Sequence, residues 1–252
     1  MGSFKKKIAI LSLFNDKHST ITASEIVHHL DLPLSTTYRY IADLKACGLM
    51  EDDAKPGHYR PGTKILELAQ IARKALGIEN IALPIMQQLA KQTEETVLLL
   101  LRRGNKVMCV ERCESSHALK FSSDRGRIMC MHAGASSRVI MAYLDELEQD
   151  RIIREEGLPR FTKNTITHPV KLKESLKRIR ENGFAISEGE LDPGAIGIAA
   201  PILCKDSMLR GGLSIAGPAN RIFGLKVDKF TRLVVQAANE IAKLLNKMEP
   251  LS

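Results

Sequence analysis

The feature that most constrains the fold is a rapid succession of helix starts and stops within the first 62 residues. The stretch "TASE" fits a capping box, in which Thr22 caps a helix and the Glu25 side chain reaches back to the Thr22 amide. Pro33 ends that helix, because the residue before a proline is pushed out of helical geometry. The next helix begins near Ser35 and ends at Gly48, a residue type common at helix C-termini.

Further elements flank this pair of helices. Residues 4–15 carry apolar side chains at helical spacing and predict a helix in front of the pair. Behind it, "LMEDDAKPGHYRPG" predicts a short hairpin whose turn is "AKPG". The order helix, helix, helix, hairpin predicts an α/β winged helix-turn-helix domain over residues 1–62.

The polar side of the third helix predicts contact with DNA. At about 100° per residue, Ser35, Thr36 and Arg39 fall opposite the apolar positions. In a helix-turn-helix the second helix of the pair lies in the major groove, where an arginine can bind guanine or phosphate. Polar residues face outward on any surface helix, so the prediction rests on the whole order of elements. The candidate DNA-binding residues, on this helix and the hairpin, are Ser35, Thr36, Tyr38, Arg39, Lys45, Lys55, His58 and Arg60.

Charge supports a polyanionic partner only weakly. The chain of 252 residues has 37 Lys and Arg against 29 Asp and Glu, a formal net charge of +8. Residues 1–75 contain 11 basic and 8 acidic side chains, which is a net +3. Such a modest excess of positive charge attracts DNA only weakly. A dimer would double the contacts with a double-stranded DNA operator.

The rest of the chain predicts a linker helix followed by an α+β domain. Residues 63–76 are amphipathic and contain no helix breaker, so we expect a linker over 63–77 and a second domain over 78–252. "TVLLLLRRGNKVMCVERCE" has two apolar runs around a turn, which is typical of a hairpin. About six strands in all, with helices at both ends, favour an antiparallel sheet. The other predicted strands are 117–123, 184–190, 195–203 and 208–217, and the predicted helices are 79–94, 131–144, 145–156, 170–182 and 227–247.

Several segments resemble one family along nearly the whole chain. "TASEIVHHLDLPLSTTYRYIADLKACGLM" and "YRPGTKILELAQIA" are similar to the winged helix and linker of the isocitrate-lyase-regulator (IclR) family of transcription factors. "RENGFAISEGELDPGAIGIAAPI" and "GGLSIAGPANRI" resemble the more specific signature of its effector domain. The resemblance implies a GAF-like effector domain with a small-molecule pocket, homodimers that can pair into homotetramers, and a regulator that is more often a repressor than an activator.

The resemblance also implies where an effector binds. By position, the family's pocket maps onto Gly134, Ala135, Ser187, Glu188, Gly197, Ser214 and Ala216, and Glu190 lies close by in sequence. Members that bind small oxoacids often have cysteine at the Gly197 position and serine at the Ala216 position. Their replacement removes polar groups and opens volume. The expected effector is therefore a small organic acid larger or more apolar than glyoxylate or pyruvate, of aromatic or sugar-derived type.

Other classes of function are less well supported. No sequence motif for a metal, a cofactor or a catalytic nucleophile is found, so we expect none of these and no enzyme. The five cysteines have no C-x-x-C spacing, and no apolar run reaches the roughly 20 residues of a membrane span, which together indicate a reduced, cytoplasmic chain. Two alternatives remain: a winged helix used for protein–protein assembly, and a GAF-like cysteine enzyme that uses Cys109 or Cys130.

Overall fold

The computed structural model describes residues 2–15, 18–117 and 124–248. The chain divides into two compact units, Met1–Leu76 and Gly77–Ser252. The first unit contains three helices, a small sheet and a fourth helix. These are α1 (Ser3–Leu11), β1 (Ile21–Thr22), α2 (Ala23–Leu30), α3 (Leu34–Ala46), β2 (Met50–Asp52), β3 (His58–Pro61) and α4 (Thr63–Leu76).

The capping box fixes the start of α2. The Thr22 hydroxyl accepts a hydrogen bond from the Glu25 amide at 3.2 Å, and the Glu25 carboxylate accepts one from the Thr22 amide at 2.7 Å. Both hydrogen bonds satisfy amides that a helix N-terminus leaves without partners. Asp31 ends α2 in the left-handed conformation, with φ of 48°. The turn to α3 is therefore determined locally, as the sequence predicts.

Three features of the first unit differ in detail from what the sequence indicates. Helix α1 ends at Leu11 and not near residue 15, because the Ser12 hydroxyl donates to the Ile8 carbonyl and Asn15 forms a bridge with His18. At 100° per residue Tyr40 falls on the flank of α3, between its polar and apolar sides, but it is buried together with Ile41 in the core between the helices and the small sheet. The sheet has three antiparallel strands in the order β1-β3-β2, one more than the predicted hairpin.

The second unit is built on a six-stranded antiparallel sheet. The strand order is β6-β5-β4-β9-β8-β7. The elements are α5 (Ile78–Thr93), β4 (Thr96–Arg103), β5 (Lys106–Cys113), β6 (Ile128–Cys130), α6 (Ala135–Met141), α7 (Glu146–Glu156), α8 (Pro169–Asn182), β7 (Ala185–Glu188), β8 (Ala195–Leu203), β9 (Leu209–Pro218) and α9 (Leu225–Met248).

The sheet is covered on both faces, so its strands are apolar on both sides. Val97 and Leu99 of β4 lie in the core with α5 and α9, whereas Leu98 and Leu100 lie in the core with α6, α7 and α8. This alternation follows from the period of two in a strand. It explains why "TVLLLL" is a continuous apolar run.

One strand lies elsewhere than predicted. The predicted third strand, 117–123, falls outside the described residues except for His117, which is not in a strand. Strand β6 instead comprises Ile128–Cys130 and pairs with Lys106–Met108 of β5. A turn at Asp124–Arg127 leads into it, with Gly126 at a φ of 86°. Within the described part of the chain, none of the helices combines the length and apolar character that crossing a bilayer requires.

The junction between the wing and α4 requires a glycine at position 62. A Cβ atom there would lie 2.1 Å from the Gly48 carbonyl oxygen and 2.8 Å from the Met50 nitrogen. Both are backbone atoms, so neither can move aside without shifting the end of α3. The close approach brings the Gly62 amide near the Leu49 carbonyl, to which it donates at 3.0 Å.

We therefore expect Gly62→Ala to destabilise the first unit by about 3 kcal/mol, the upper range for overpacking. The matched control is Gly57→Ala at the wing tip, where no atom lies within 4 Å of a new Cβ but φ is 76°. In that variant the free energy of unfolding should fall by only about 1 kcal/mol, because alanine is disfavoured in the left-handed conformation. Urea unfolding of both variants, followed by circular dichroism, measures the difference, and equal losses would contradict the steric account.

Candidate functional site

The start of α3 presents a polar, accessible surface. Ser35, Tyr38 and Arg39 are exposed and Thr36 is half-buried, whereas the neighbouring Thr37 is fully buried. The Arg39 guanidinium carbon lies 5.6 Å from the centroid of the Tyr40 ring, within the range of a cation–π contact. No side chain caps the N-terminus of α3. Hydroxyl and guanidinium donors are thus presented together on the first turns of the helix.

Two of the predicted basic residues on the wing side form ion pairs with neighbouring carboxylates. The Lys45 ammonium contacts both oxygens of Asp52, at 2.7 and 2.6 Å. Arg60 pairs with Glu51 at 3.0 Å. These pairs are solvent-exposed and therefore weak, so a phosphate can replace the carboxylate at little cost.

Lys55 and His58 lie near the turn of the wing. Lys55 is exposed, and its amide is hydrogen-bonded to the Asp53 carboxylate at 3.4 Å. The His58 ring lies 3.2 Å from the Pro56 carbonyl. The structure therefore brings the predicted helix residues together on α3 and the predicted wing residues on β3 and its turn.

The second unit contains a cavity of about 500 Å³, counting its open mouth, between the sheet and α6. Its floor is a row of small residues in register across three strands: Ser187 on β7 pairs with Gly197 on β8, which pairs with Ala216 on β9. A Cβ atom at Gly197 would approach Ser187 Oγ to 3.2 Å and the Ala135 methyl to 3.5 Å, so glycine keeps this space open. The remaining lining residues are Leu98, Arg127, Met129, Gly134, Ala135, Ser136, Glu190, Leu191, Asp192, Ala195 and Ile196.

Two acceptors occupy the amides at the start of α6. The Gly134 amide donates to a Glu190 carboxylate oxygen at 2.9 Å, and the Ala135 amide donates to Ser187 Oγ at 2.8 Å. Gly134 has φ of 81°, and a Cβ there would meet Leu191 at 2.8 Å. This position thus favours glycine for its backbone conformation, whereas the Leu191 methyl, at the end of a flexible side chain, is able to move aside.

Glu190 is held by an ion pair with a buried arginine. Arg138, on α6, is 4% exposed and donates to the Glu190 carboxylate, the Ser175 hydroxyl and, at 3.0 Å, the Ile186 carbonyl. Burial raises the pKa of the Glu190 carboxyl, and the charge of Arg138 and the Gly134 amide oppose that change. The pair connects α6, α8, β7 and the loop after β7.

Two predicted effector residues do not line the cavity. Glu188 is exposed on the opposite face of β7, because successive residues of a strand point to opposite sides. Ser214 faces α6 but is fully buried and accepts a hydrogen bond from the Ser136 hydroxyl at 2.9 Å. Six of the eight predicted effector residues lie in the lining: Gly134, Ala135, Ser187, Glu190, Gly197 and Ala216.

The sequence patterns did not predict Arg127, the cation at the mouth of the cavity, or the role of the buried Arg138. Arg127 immediately precedes β6, and the sequence did not predict that strand. Arg138 lies in the apolar stretch "RVIMAYL", and a lone charge in such a stretch was the available signal for a buried ion pair. Leu98 and Ile196 lie in predicted strands, but their side of the sheet could not be assigned without the topology.

The cysteines do not form a reactive centre. Burial raises the pKa of the Cys109 thiol to about 11, so the nucleophilic thiolate is scarce near neutral pH. Cys130 is half-buried on the edge strand β6. Among the described residues, no three His, Cys, Asp or Glu side chains come close enough together to hold a metal ion.

Two family models match the chain in its two units. The model of the IclR helix-turn-helix domain matches residues 5–54. The model described as the C-terminal part of the bacterial transcriptional regulator IclR matches residues 70–243. The second match covers more than half of the chain and includes every residue that lines the cavity.

Curated relatives and solved structures are similar over nearly their full lengths. The transcriptional regulator KipR of Bacillus subtilis is 32% identical over 94% of both chains. The transcriptional repressor AllR of Salmonella typhi is 27% identical over 99% of this chain and 92% of its own. An IclR homologue of Microbacterium hydrocarbonoxydans, solved with 4-hydroxybenzoate, is 25% identical with a TM-score of 0.86, over 98% of this chain and 100% of its own.

We expect Glu190→Ala to lower the free energy of unfolding by about 3–5 kcal/mol, because it leaves the buried Arg138 guanidinium without its counter-charge. The matched control is Glu148→Ala, which removes the partner of Arg102 from a pair about one-third exposed at each residue. That change should cost at most about 1 kcal/mol. Urea unfolding of both full-length variants measures the two losses of unfolding free energy. Similar values would show that burial does not increase the cost of breaking the Arg138–Glu190 pair.

Proposed function

The chain belongs to the IclR family of transcriptional regulators, and from this premise we propose that it is a repressor whose binding to an operator is controlled by a small organic acid. Its DNA-binding surface is the start of α3. Its effector site is the cavity between the sheet and α6. The observation that carries the proposal is the presence of both features in the matched units of one chain.

The geometry of α3 supports base reading. The major groove of B-DNA, about 12 Å wide, admits one helix, and the N-terminal residues of a recognition helix contact base edges. Ser35, Thr36, Tyr38 and Arg39 occupy that part of α3 and are accessible. Lys55 and Arg60 on the wing suit phosphate contacts, which add affinity without adding sequence information.

Exposed apolar side chains support a homodimer formed through the first unit. Phe4 of α1 is 74% exposed, and Leu66 and Ile71 of α4 are 68% and 57% exposed. Single exposed apolar residues are common, but several large ones on two helices of one small unit favour a contact surface. A two-fold dimer presents two α3 helices and fits a pseudo-palindromic operator, and pairing of dimers gives a tetramer.

The lining of the cavity supports an aromatic monocarboxylic acid as effector. Leu98, Met129 and Leu191 offer apolar surface for a ring, and Arg127 is the only cation among the described lining residues. Asp192 offers an acceptor for a hydroxyl group on such an acid. The homologue solved with 4-hydroxybenzoate supports the same chemical class.

Control requires coupling between ligand and operator. An acid that weakens operator binding must itself bind less tightly to the DNA-bound protein, by the same factor. We assign the coupling to α4, the helix that follows the wing and ends at the boundary between the units. Two relatives named as repressors, IclR of Escherichia coli and AllR, support repression. Regulation of transcription by DNA binding also favours the cytoplasm, where a bacterial chromosome lies.

The alternatives have less support. A winged helix used only for protein assembly would not need donors on the exposed turns of α3. A GAF-like cysteine enzyme would need an accessible thiolate, and burial raises the pKa of Cys109. The matched relatives are transcriptional regulators, and the chain is accordingly a regulator and not an enzyme.

Selection of bound genomic fragments with purified protein should first identify an operator. We expect Arg39→Ala to weaken operator binding about 5- to 150-fold, which corresponds to about 1–3 kcal/mol for one bidentate base contact, and to relax preference at one base pair. Fluorescence anisotropy on operator duplexes measures both effects. The control Arg154→Ala removes the same charge from exposed α7 and should leave affinity within two-fold. Unchanged affinity and base preference for Arg39→Ala would refute the assignment of α3.

We expect Arg127→Gln to weaken binding of 4-hydroxybenzoate at least about 10-fold, because one charge-assisted hydrogen bond to the carboxylate is lost. Isothermal titration calorimetry on the full chain measures this affinity. The control Arg103→Gln removes an exposed arginine at the far end of β4, outside the cavity lining, and should have no effect. Equal losses in the two variants, or none in either, would contradict a carboxylate site at Arg127.

A further inference from the structure

The first two amides at the α6 end of the cavity are already occupied. The amides of Gly134 and Ala135 already donate to Glu190 and Ser187, at 2.9 and 2.8 Å. Both acceptors line the cavity themselves. The protein thus supplies its own carboxylate and hydroxyl oxygens at the place where the oxygens of a small acid would otherwise bind.

These two acceptors are held in place to different degrees. The Glu190 carboxylate also pairs with the buried Arg138, and the Glu190 carbonyl accepts a hydrogen bond from Thr165 at 2.7 Å. A ligand that displaced this carboxylate would have to replace it as the counter-charge of Arg138. Ser187 is held here by one hydrogen bond, in which its hydroxyl accepts from the Ala135 amide. Neither a charge nor an ion pair depends on this side chain.

We propose that Ser187 and Glu190 determine which acids the cavity accepts: they occupy the amides of Gly134 and Ala135, exclude two- and three-carbon oxoacids, and direct the carboxylate of a larger acid to the mouth beside Arg127. The inference rests on the proposed function, because it specifies the ligand class of the same site. A small oxoacid has too few atoms to fill the apolar middle of the cavity and to reach Arg127 as well. An aromatic acid does both, since its ring lies against Leu98 and Met129.

Ser187→Ala tests the proposal most cleanly, because it frees the Ala135 amide and leaves the Arg138–Glu190 pair intact. We expect this variant to bind pyruvate about 10-fold more tightly than the wild type, the effect of one gained hydrogen bond to a charged group. Affinity for 4-hydroxybenzoate should change less than two-fold, because its carboxylate lies at the other end. Protein-observed NMR titration of the full chain with each acid measures both affinities.

The matched control is Ser137→Ala. Ser137 is also a buried serine, it lies on α6, and its hydroxyl has no partner among the described residues and does not line the cavity. Its removal frees no amide, so pyruvate affinity should stay at the wild-type value. Ser187→Gly removes the same acceptor and serves in place of Ser187→Ala if that variant does not fold.

The proposal is overturned if pyruvate binds the Ser187 variants no better than the wild type, whether or not 4-hydroxybenzoate binds. It is also overturned if the wild type binds pyruvate more tightly than 4-hydroxybenzoate. In that second case an organic acid still occupies the cavity, so the proposed function survives. A failure of the proposed function itself gives a different result: no organic acid then changes the affinity of the protein for its operator.

Discussion

The arrangement of the cavity depends on the ion pair between Arg138 and Glu190. Arg138 connects α6 with α8 through Ser175 and with β7 through the Ile186 carbonyl, while Glu190 connects the loop after β7 to the Gly134 amide. Taking two charges out of water is costly, and only close pairing and further hydrogen bonds offset that cost. The contacts fit together in one arrangement of these elements, so the pair acts more to specify the geometry of the cavity than to stabilise the fold.

The sequence predicts the fold well where local chemistry determines it. The capping box at Thr22 and Glu25, the stop at Pro33 and the end of α3 are each set by neighbouring residues, and each is found in the structure. The prediction of an antiparallel sheet of about six strands is also confirmed, because apolar runs such as "TVLLLL" are long enough to be recognised as strands. Tyr40 shows the limit: its burial is decided by packing between the helices and not by its position on the helical wheel.

Only part of the site can be predicted from the sequence, because the other part depends on tertiary contacts. Ser187, Gly197 and Ala216 are far apart in sequence and become neighbours only through the register of β7, β8 and β9. Their positions come from the resemblance to the family, whereas Glu188 lies on the other face of β7, which the resemblance does not specify. Arg127 depends on an edge strand of three residues with little signal of its own. The partner of Arg138 lies 52 residues away, so no local pattern reveals it.

A crystal structure of the full chain grown with 4-hydroxybenzoate tests the central claim most directly, namely that the cavity binds an acid whose carboxylate lies at Arg127 while Glu190 stays on the Gly134 amide. The account predicts electron density for the ring against Leu98 and Met129, the ligand carboxylate within hydrogen-bonding distance of the Arg127 guanidinium, and an unchanged Arg138–Glu190 pair. A ligand carboxylate on the amides of Gly134 and Ala135, with Glu190 or Ser187 displaced, would contradict it.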